Sequence, residues 1–333
     1  MPNYEALRQA ALANLEDKFV IFKKITENLF ICGPKREVQE AKHSVFEDLN
    51  QADRADRVNR VLKDLRDNLV AVKISTQSST SGMLLGQEAF LLERINKTPN
   101  SRPRIWFPEL LHAEKFYFPP AKLCSSLEMS AFDPALTLQT FRTHFEKVPI
   151  EIPVEFIAHV FLQLCELVGF LHKNCRISHN DIHECNILVN CEALPGTHEL
   201  PQLALVDFGL GLHGKSLEGG AIARDVKFIC TELNRLLNTR CLGQVTTSPE
   251  NAARFEGFEE FKTFMREKSD KDVLDRNGSI DGLKTLFEAQ AKRCVDSCPE
   301  KTAKYLDNLA QGLGKPAKVS DREVMDVLAN LTA

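Results

Sequence analysis

Only one glycine, Gly33, precedes Gly82 in this 333-residue chain. A turn of clustered glycines is therefore excluded from the first quarter, and with it the usual way for a backbone to close on a phosphate. Basic residues are not in excess: 42 Lys and Arg stand against 46 Asp and Glu, a formal charge of −4. That balance argues against broad electrostatic binding of nucleic acid. Long apolar runs are lacking too. The most apolar stretch, "VFLQLCELVGFLH" (160–172), is short for a bilayer and carries Glu166. The opening "MPNYEALRQAALANLEDK" is polar and amphipathic, without the apolar centre of a secretion signal. Repeats and low-complexity tracts are absent.

What is present is an ordinary globular composition, 43% apolar and 26% charged, in a chain long enough for two lobes or two domains. Ten cysteines without a secretion signal imply free thiols in a reducing compartment, so cytoplasm or nucleus is the expected location. No membrane partner is expected.

The patterning divides the chain. A helix over roughly 3–17 leads into strand patterns at "KFVIFKKI" and "NLFICG". In "ADRADRVNRVLKDLRDN", Val58, Val61, Leu62 and Leu65 share one helical face, and Asp53/Arg57 and Asp56/Arg60 pair on the other. That charge run reads as a solvated helical insertion, with an interaction surface as the alternative. "LVAVKIS" is a buried strand containing one lysine, "STQSSTSG" a loop and "GQEAFLLERIN" a short amphipathic helix. "RIWFPELLHAEKFYF" and "AKLCSSLEM" supply two more strands. From Pro153 an apolar stripe of Val154, Ile157, Phe161, Leu164, Val168 and Leu171 marks a long helix. "NILVN" and "LALVD" are short strands, and helices follow from about Ala223. The expected class is α+β with two lobes, a small β-rich one over 1–130 and a larger helical one over 131–333.

Three motifs carry chemistry. Phosphoryl transfer needs metal on the phosphates, a cation on their oxygens and a carboxylate to orient the attacking hydroxyl. One carboxylate and one amide suffice as protein ligands for Mg²⁺, which keeps several waters. Lys73 lies on the strand "VAVK", and Glu88, fifteen residues on, falls on the next helix. Asp181 and Asn186 stand five apart in "HNDIHECN", between a helix and a strand. Asp207 ends a strand and precedes Phe208 and Gly209.

In this order the motifs resemble the protein-kinase-like superfamily over residues 19 to about 240. The resemblance implies a two-lobed kinase-like fold with ATP and Mg²⁺ as cofactors. It implies Lys73 on the phosphates with Glu88 as partner, Asp181 as catalytic base, and Asn186 and Asp207 as metal ligands. Backbone groups of Glu128 and Ser130, in "SSLEMSAFDPALTL", would bond the adenine, the alternative being a plain strand. Asp225, in "ARDVKFICTELNRLL", would brace the catalytic loop.

Departures narrow the resemblance. The glycine-rich loop is missing; "SSTSG" (78–82) is either a stand-in for phosphate or a linker before the helix. Asn180 occupies a position where many protein kinases carry arginine, which argues against switching by loop phosphorylation. His183 replaces the usual lysine, as in haspin-type kinases and the aminoglycoside and choline phosphotransferases; it either touches the transferring phosphate or braces the loop. Only seventeen residues, five of them glycine, separate Asp207 from Asp225. That is short for a peptide platform, and similar to Bud32- and RIO-type or small-molecule kinases.

Rival signals are weaker. Cys175, His179, His183, Cys185 and Cys191 crowd together at spacings unlike common zinc sites. Cys294 and Cys298 read as buried thiols. "DRNGSIDG" fails as a calcium loop, because Gly278 at its sixth position places Lys284 at the twelfth. Phe255, Phe258, Phe261 and Phe264 recur at a spacing that suits core packing.

The expectation is an ATP-dependent phosphotransferase with a protein or small-molecule hydroxyl as acceptor. An atypical Ser/Thr protein kinase leads, ahead of a small-molecule kinase. The contrasting expectation is a pseudokinase, a binding module that keeps the fold without turnover.

Overall fold

The computed structural model describes residues 4–46, 54–75, 78–99, 106–118, 121–132, 136–148, 150–190, 200–214, 220–239, 253–269, 278–314 and 318–331. The class is α+β. The chain divides into two compact units, one of Met1–Glu93, Pro108–Ala135 and Lys315–Ala333, the other of Arg94–Phe107 and Leu136–Gly314. The observed division departs from a single boundary at 130 in two places. Residues 94–107 pack with the second unit, and the last nineteen residues return to the first.

The first unit is built on a five-stranded antiparallel sheet of order β1-β2-β3-β5-β4. Its strands are β1 (Phe19–Lys24), β2 (Leu29–Pro34), β3 (Val70–Ile74), β4 (Leu110–Phe118) and β5 (Ala121–Ser130). Helix α1 (Tyr4–Lys18) lays Ala11 and Leu15 on Phe19, Phe30, Cys32, Val70, Val72 and Ile74. Between β2 and β3 come α2 (Lys35–Phe46), which buries Val38, Ala41 and Val45, and α3 (Arg54–Asp67), which buries Leu62 and Leu65. The charged insertion is therefore amphipathic and packed on one side. Gly33 has a packing role: a Cβ there would lie 2.6 Å from the Phe22 ring. Helix α4 (Ser79–Lys97) follows β3.

The second unit is mainly helical. Helix α5 (Leu138–Lys147) is capped by Thr137, whose hydroxyl accepts from the Thr140 N–H. Helix α6 (Val154–Phe170) continues into a π-turn, Leu171–Cys175. Together they make 22 helical residues, long and apolar enough to cross a membrane, against the expectation of a short run. Burial decides its character: 78% of its most apolar window is enclosed by the protein, as befits a core helix. Two small antiparallel pairs follow, β6 (Ile177–Ser178) with β9 (Leu212–His213), and β7 (Ile187–Asn190) with β8 (Gln202–Leu205). Then come α7 (Ala221–Asn238), α8 (Phe258–Ser269), α9 (Ile280–Asp296) and α10 (Glu300–Gly314).

The phenylalanine series packs as its spacing suggests. Phe261 meets Phe161, Phe255 and Phe287 with ring centroids 5.2–5.4 Å apart, and Phe264 meets Phe287 at 5.3 Å. The helix expected near 252 to 267 is interrupted: residues 253–254 are helical, Gly257 at φ +76° turns the chain, and α8 starts at Phe258. In "DRNGSIDG", residues 275–277 lie outside the described set; Ser279 caps α9 by accepting from the Gly282 N–H. Cys294 is buried and Cys298 partly so, both as free thiols.

The chain's last helix, α11 (Asp321–Asn330), belongs to the first unit and packs on α2 and β1. Val319, Val324 and Leu328 are fully buried there. Lys23 Nζ donates to Lys318 O at 3.1 Å, Lys42 Nζ donates to Leu331 O at 2.6 Å, and Arg66 pairs with Asp321.

Candidate functional site

The 177–190 stretch is organised around one carboxylate. Asp225, on α7, is wholly buried. Its Oδ2 accepts from Ser178 Oγ at 2.8 Å and from the His179 N–H at 2.9 Å. Its Oδ1 accepts from the Asn180 N–H at 2.6 Å. His172 Nε2, carried inward by the π-turn, lies 2.8 Å from Oδ2. A buried carboxylate needs such donors to offset its lost hydration. Here they fix the backbone of the loop that carries Asp181. The expected brace is thus present as geometry.

Three non-glycine residues have positive φ among the described residues: Arg176 (57°), Asn180 (64°) and Asp207 (65°). All lie in or beside this loop and the turn after β8. Asn and Asp tolerate this conformation better than most residues, and such backbone states cluster where a site over-determines them.

The loop and the Asp207 turn are joined by hydrogen bonds. Asn186 Nδ2 donates to Asp181 O at 3.1 Å and to Asp181 Oδ2 at 3.2 Å. That orientation turns Asn186 Oδ1 away from Asp181. The Val206 N–H donates to Asn186 O at 3.1 Å, and His179 Nε2 lies 3.1 Å from Val206 O. Phe208 is buried against His179 and Phe107, with centroids at 4.6 and 6.0 Å. Burial pushes the His179 imidazole below its ordinary pKa, so the ring is neutral and donates Nε2–H to that carbonyl. Asp207 follows Val206 directly, two residues beyond the end of β8.

His183 has a defined tautomer. The Cys185 N–H donates to His183 Nδ1 at 3.2 Å, which leaves the proton on Nε2. That Nε2 lies 3.6 Å from Asp181 Oδ2. Glu184 is turned away, clamped in two places by Arg142 of α5 at 2.6 and 3.1 Å.

The first unit holds the other expected residues. Lys73 Nζ, on β3, donates to Glu88 Oε2 of α4 at 2.8 Å, and Glu88 is buried. Lys73 retains 27% side-chain exposure. Glu128 sits within β5, registered with Val72 on one side and His112 on the other. Its side chain pairs with Lys18 at 3.4 Å. The Ser130 N–H donates to Glu109 O at 2.9 Å, and Ser130 Oγ accepts from the Glu109 N–H. An adenine bonded by the Ser130 N–H would have to displace that carbonyl. Residues 133–135 of the expected hinge lie outside the described set. The "SSTSG" stretch is the start of α4 itself, with Ser78 Oγ accepting from the Ser81 N–H at 3.1 Å. A tight turn at 25–28 joins β1 to β2, and its Asn28 O accepts from Ile74 N–H at 2.8 Å.

The two ligands expected from the sequence, the Asp207 carboxylate and the Asn186 amide oxygen, are hard oxygen donors of the kind a divalent cation such as Mg²⁺ takes. Among the described residues no group of three His, Cys, Asp or Glu side chains gathers as a metal site. Of the crowded zinc candidates, His179 is bound to Val206 O and Cys175 is buried, while Cys191 lies outside the described set. His172, Ser178 and Arg224 also belong to the site, although the motifs do not mark them. The signals for the first two were a histidine within an apolar helical run and a serine inside a buried strand.

No protein-family model matches the chain, and no curated protein matches it.

Proposed function

We propose that the protein is a Mg²⁺·ATP-dependent phosphotransferase of the protein-kinase-like superfamily, acting on a hydroxyl group. The observation that carries this reading is the tie between Asp181, Asn186 and the Val206–Asp207 turn. It holds Asp181, Asn186 and the Asp207 turn on one braced framework, which suits a reaction that depends on positioning and electrostatics. Lys73, held by Glu88, is the cation for the phosphate oxygens.

In this reading Asn186 Oδ1 and the Asp207 carboxylate would hold Mg²⁺, which would supply charge neutralisation on the phosphates. Asp181 accepts a hydrogen bond from the acceptor hydroxyl and takes its proton. The acceptor oxygen forms a bond to the γ-phosphorus as the bond to the β-phosphate bridging oxygen breaks, and ADP leaves. His183, with its proton on Nε2, donates a hydrogen bond toward Asp181 or a phosphoryl oxygen and carries no charge in that tautomer.

An atypical Ser/Thr protein kinase of the cytoplasm or nucleus is the leading form. A small-molecule acceptor is the second, favoured by the six residues between Gly214 and the start of α7. The turn at 25–28, which has no glycine and is bonded to β3, favours weak nucleotide binding or a non-catalytic binding module instead.

Calorimetric titration of ATP with and without Mg²⁺, on wild type and Asp207→Asn, separates these. Binding that needs the metal and weakens in the variant supports the enzyme. Binding indifferent to both supports the module.

A further inference from the structure

Asn180 uses every polar group it has except its carbonyl to join three elements. Its main-chain N–H donates to Asp225 Oδ1 on α7. Its side-chain Nδ2 donates to Leu210 O at 3.1 Å, in the segment after Phe208 and Gly209. Its Oδ1 accepts from Arg224, the residue before Asp225. Acceptance from a guanidinium and donation to a carbonyl define the amide's orientation from both sides.

The consequence falls on Asp207. Upstream of it, Val206 is tied to the loop through His179 Nε2 and Asn186 O. Downstream, Leu210 is tied through Asn180, and Gly211 N–H donates back to Phe208 O at 2.9 Å. Beyond that, β9 pairs with β6, and the Gly214 N–H donates to Arg176 O. Asp207, in a left-handed conformation that few residues adopt unaided, is thus held from both flanks by the same loop.

We infer that Asn180 is a positioning residue, a built-in amide latch that holds the Asp207 segment in register with the 179–186 loop. Arg224 fixes the latch from the α7 side by donating to its Oδ1. This rests on the phosphotransferase reading for its catalytic consequence but on hydrogen bonds alone for the latch.

The test uses the full chain with Asn180→Gly, Asn180→Asp and wild type. Glycine suits φ 64° and keeps the N–H to Asp225, so it deletes the side-chain bonds without adding backbone strain. Aspartate keeps an acceptor for Arg224 but sets an oxygen against Leu210 O. In hydrogen exchange without nucleotide, both variants should speed the amides of 211–214 about tenfold, the scale of one or two hydrogen bonds, and leave those of β7 and β8 unchanged. In γ-phosphate transfer, both should lower kcat about tenfold with KM for ATP within twofold. Unchanged exchange at 211–214 in both variants would overturn the latch, and unchanged kcat in both would overturn its positioning role. Absence of transfer in untreated wild type would instead count against the phosphotransferase reading, with exchange still deciding the latch.

Discussion

Glu88 holds Lys73 Nζ at 2.8 Å from a buried position on α4, fifteen residues further along the chain. The pair is asymmetric: the carboxylate is enclosed, the ammonium still partly reached by solvent. Removing the lysine takes the cation away from a buried carboxylate, whereas neutralising the acid leaves a partly solvated cation beside a polar amide. Lys73→Met should therefore destabilise the protein more than Glu88→Gln, by about 2 kcal/mol once solvent screening is allowed for. Urea denaturation of both variants checks the order. Both should also abolish metal-dependent ATP turnover.

Asp225→Asn replaces an acceptor by a donor facing the donors of Ser178, His179 and Asn180. At least one of these buried groups loses its partner. The expected cost is about 2–4 kcal/mol, with faster exchange of the 179 and 180 amides than of those in β7. Denaturant melts and exchange rates measure the two effects.

The return of the chain to its first unit is testable by packing. Leu328→Ala, at a fully buried site on α11, should cost about 2–4 kcal/mol. Asp321→Ala, at the more exposed end of the pair with Arg66, should cost less than about 1 kcal/mol. Equal effects in thermal melts would contradict the assignment of burial as the main anchor.

His159 gives the pH dependence. Burial pushes its pKa down to about 4, while its Nε2 lies 2.9 Å from Pro201 O. In the unfolded chain the ring titrates near ~6.5. Between these values the unfolded state binds the extra proton, so stability is full above about pH 6.5 and falls as pH drops toward 4. The loss amounts to about 3 kcal/mol, and buried His179 acts in the same direction. Unfolding free energy measured from pH 8 to 4 should show this decline, with a shallower slope in His159→Gln.

Much of the candidate site was legible because phosphoryl-transfer chemistry would force residue types into fixed order. Asp181, Asn186 and Asp207 carry spacing that survives in one dimension, and the strand and helix periods around them are clear. What supports them was not legible. His172 reads as one more residue of an apolar helix, and only the π-turn after Phe170 aims it at Asp225. Arg224 carries no pattern, because its partner is 44 residues away and reached only through the left-handed turn at Asn180. The strand periodicity around Glu128 and Ser130 was clear, but pairing register was not, and register is what commits Ser130 N–H to Glu109. The last helix looked like an extension of the helical lobe, since amphipathic pattern records an apolar face and not the surface that covers it.

The most direct test of the account is transfer of labelled γ-phosphate from Mg·ATP in a crude cell extract, by wild type and by Asp181→Asn. The account predicts label on protein, or on a small acid-soluble hydroxyl compound, that depends on Mg²⁺ and falls at least a hundredfold in the variant. Transfer that is absent in wild type, or equal in wild type and variant, would contradict it.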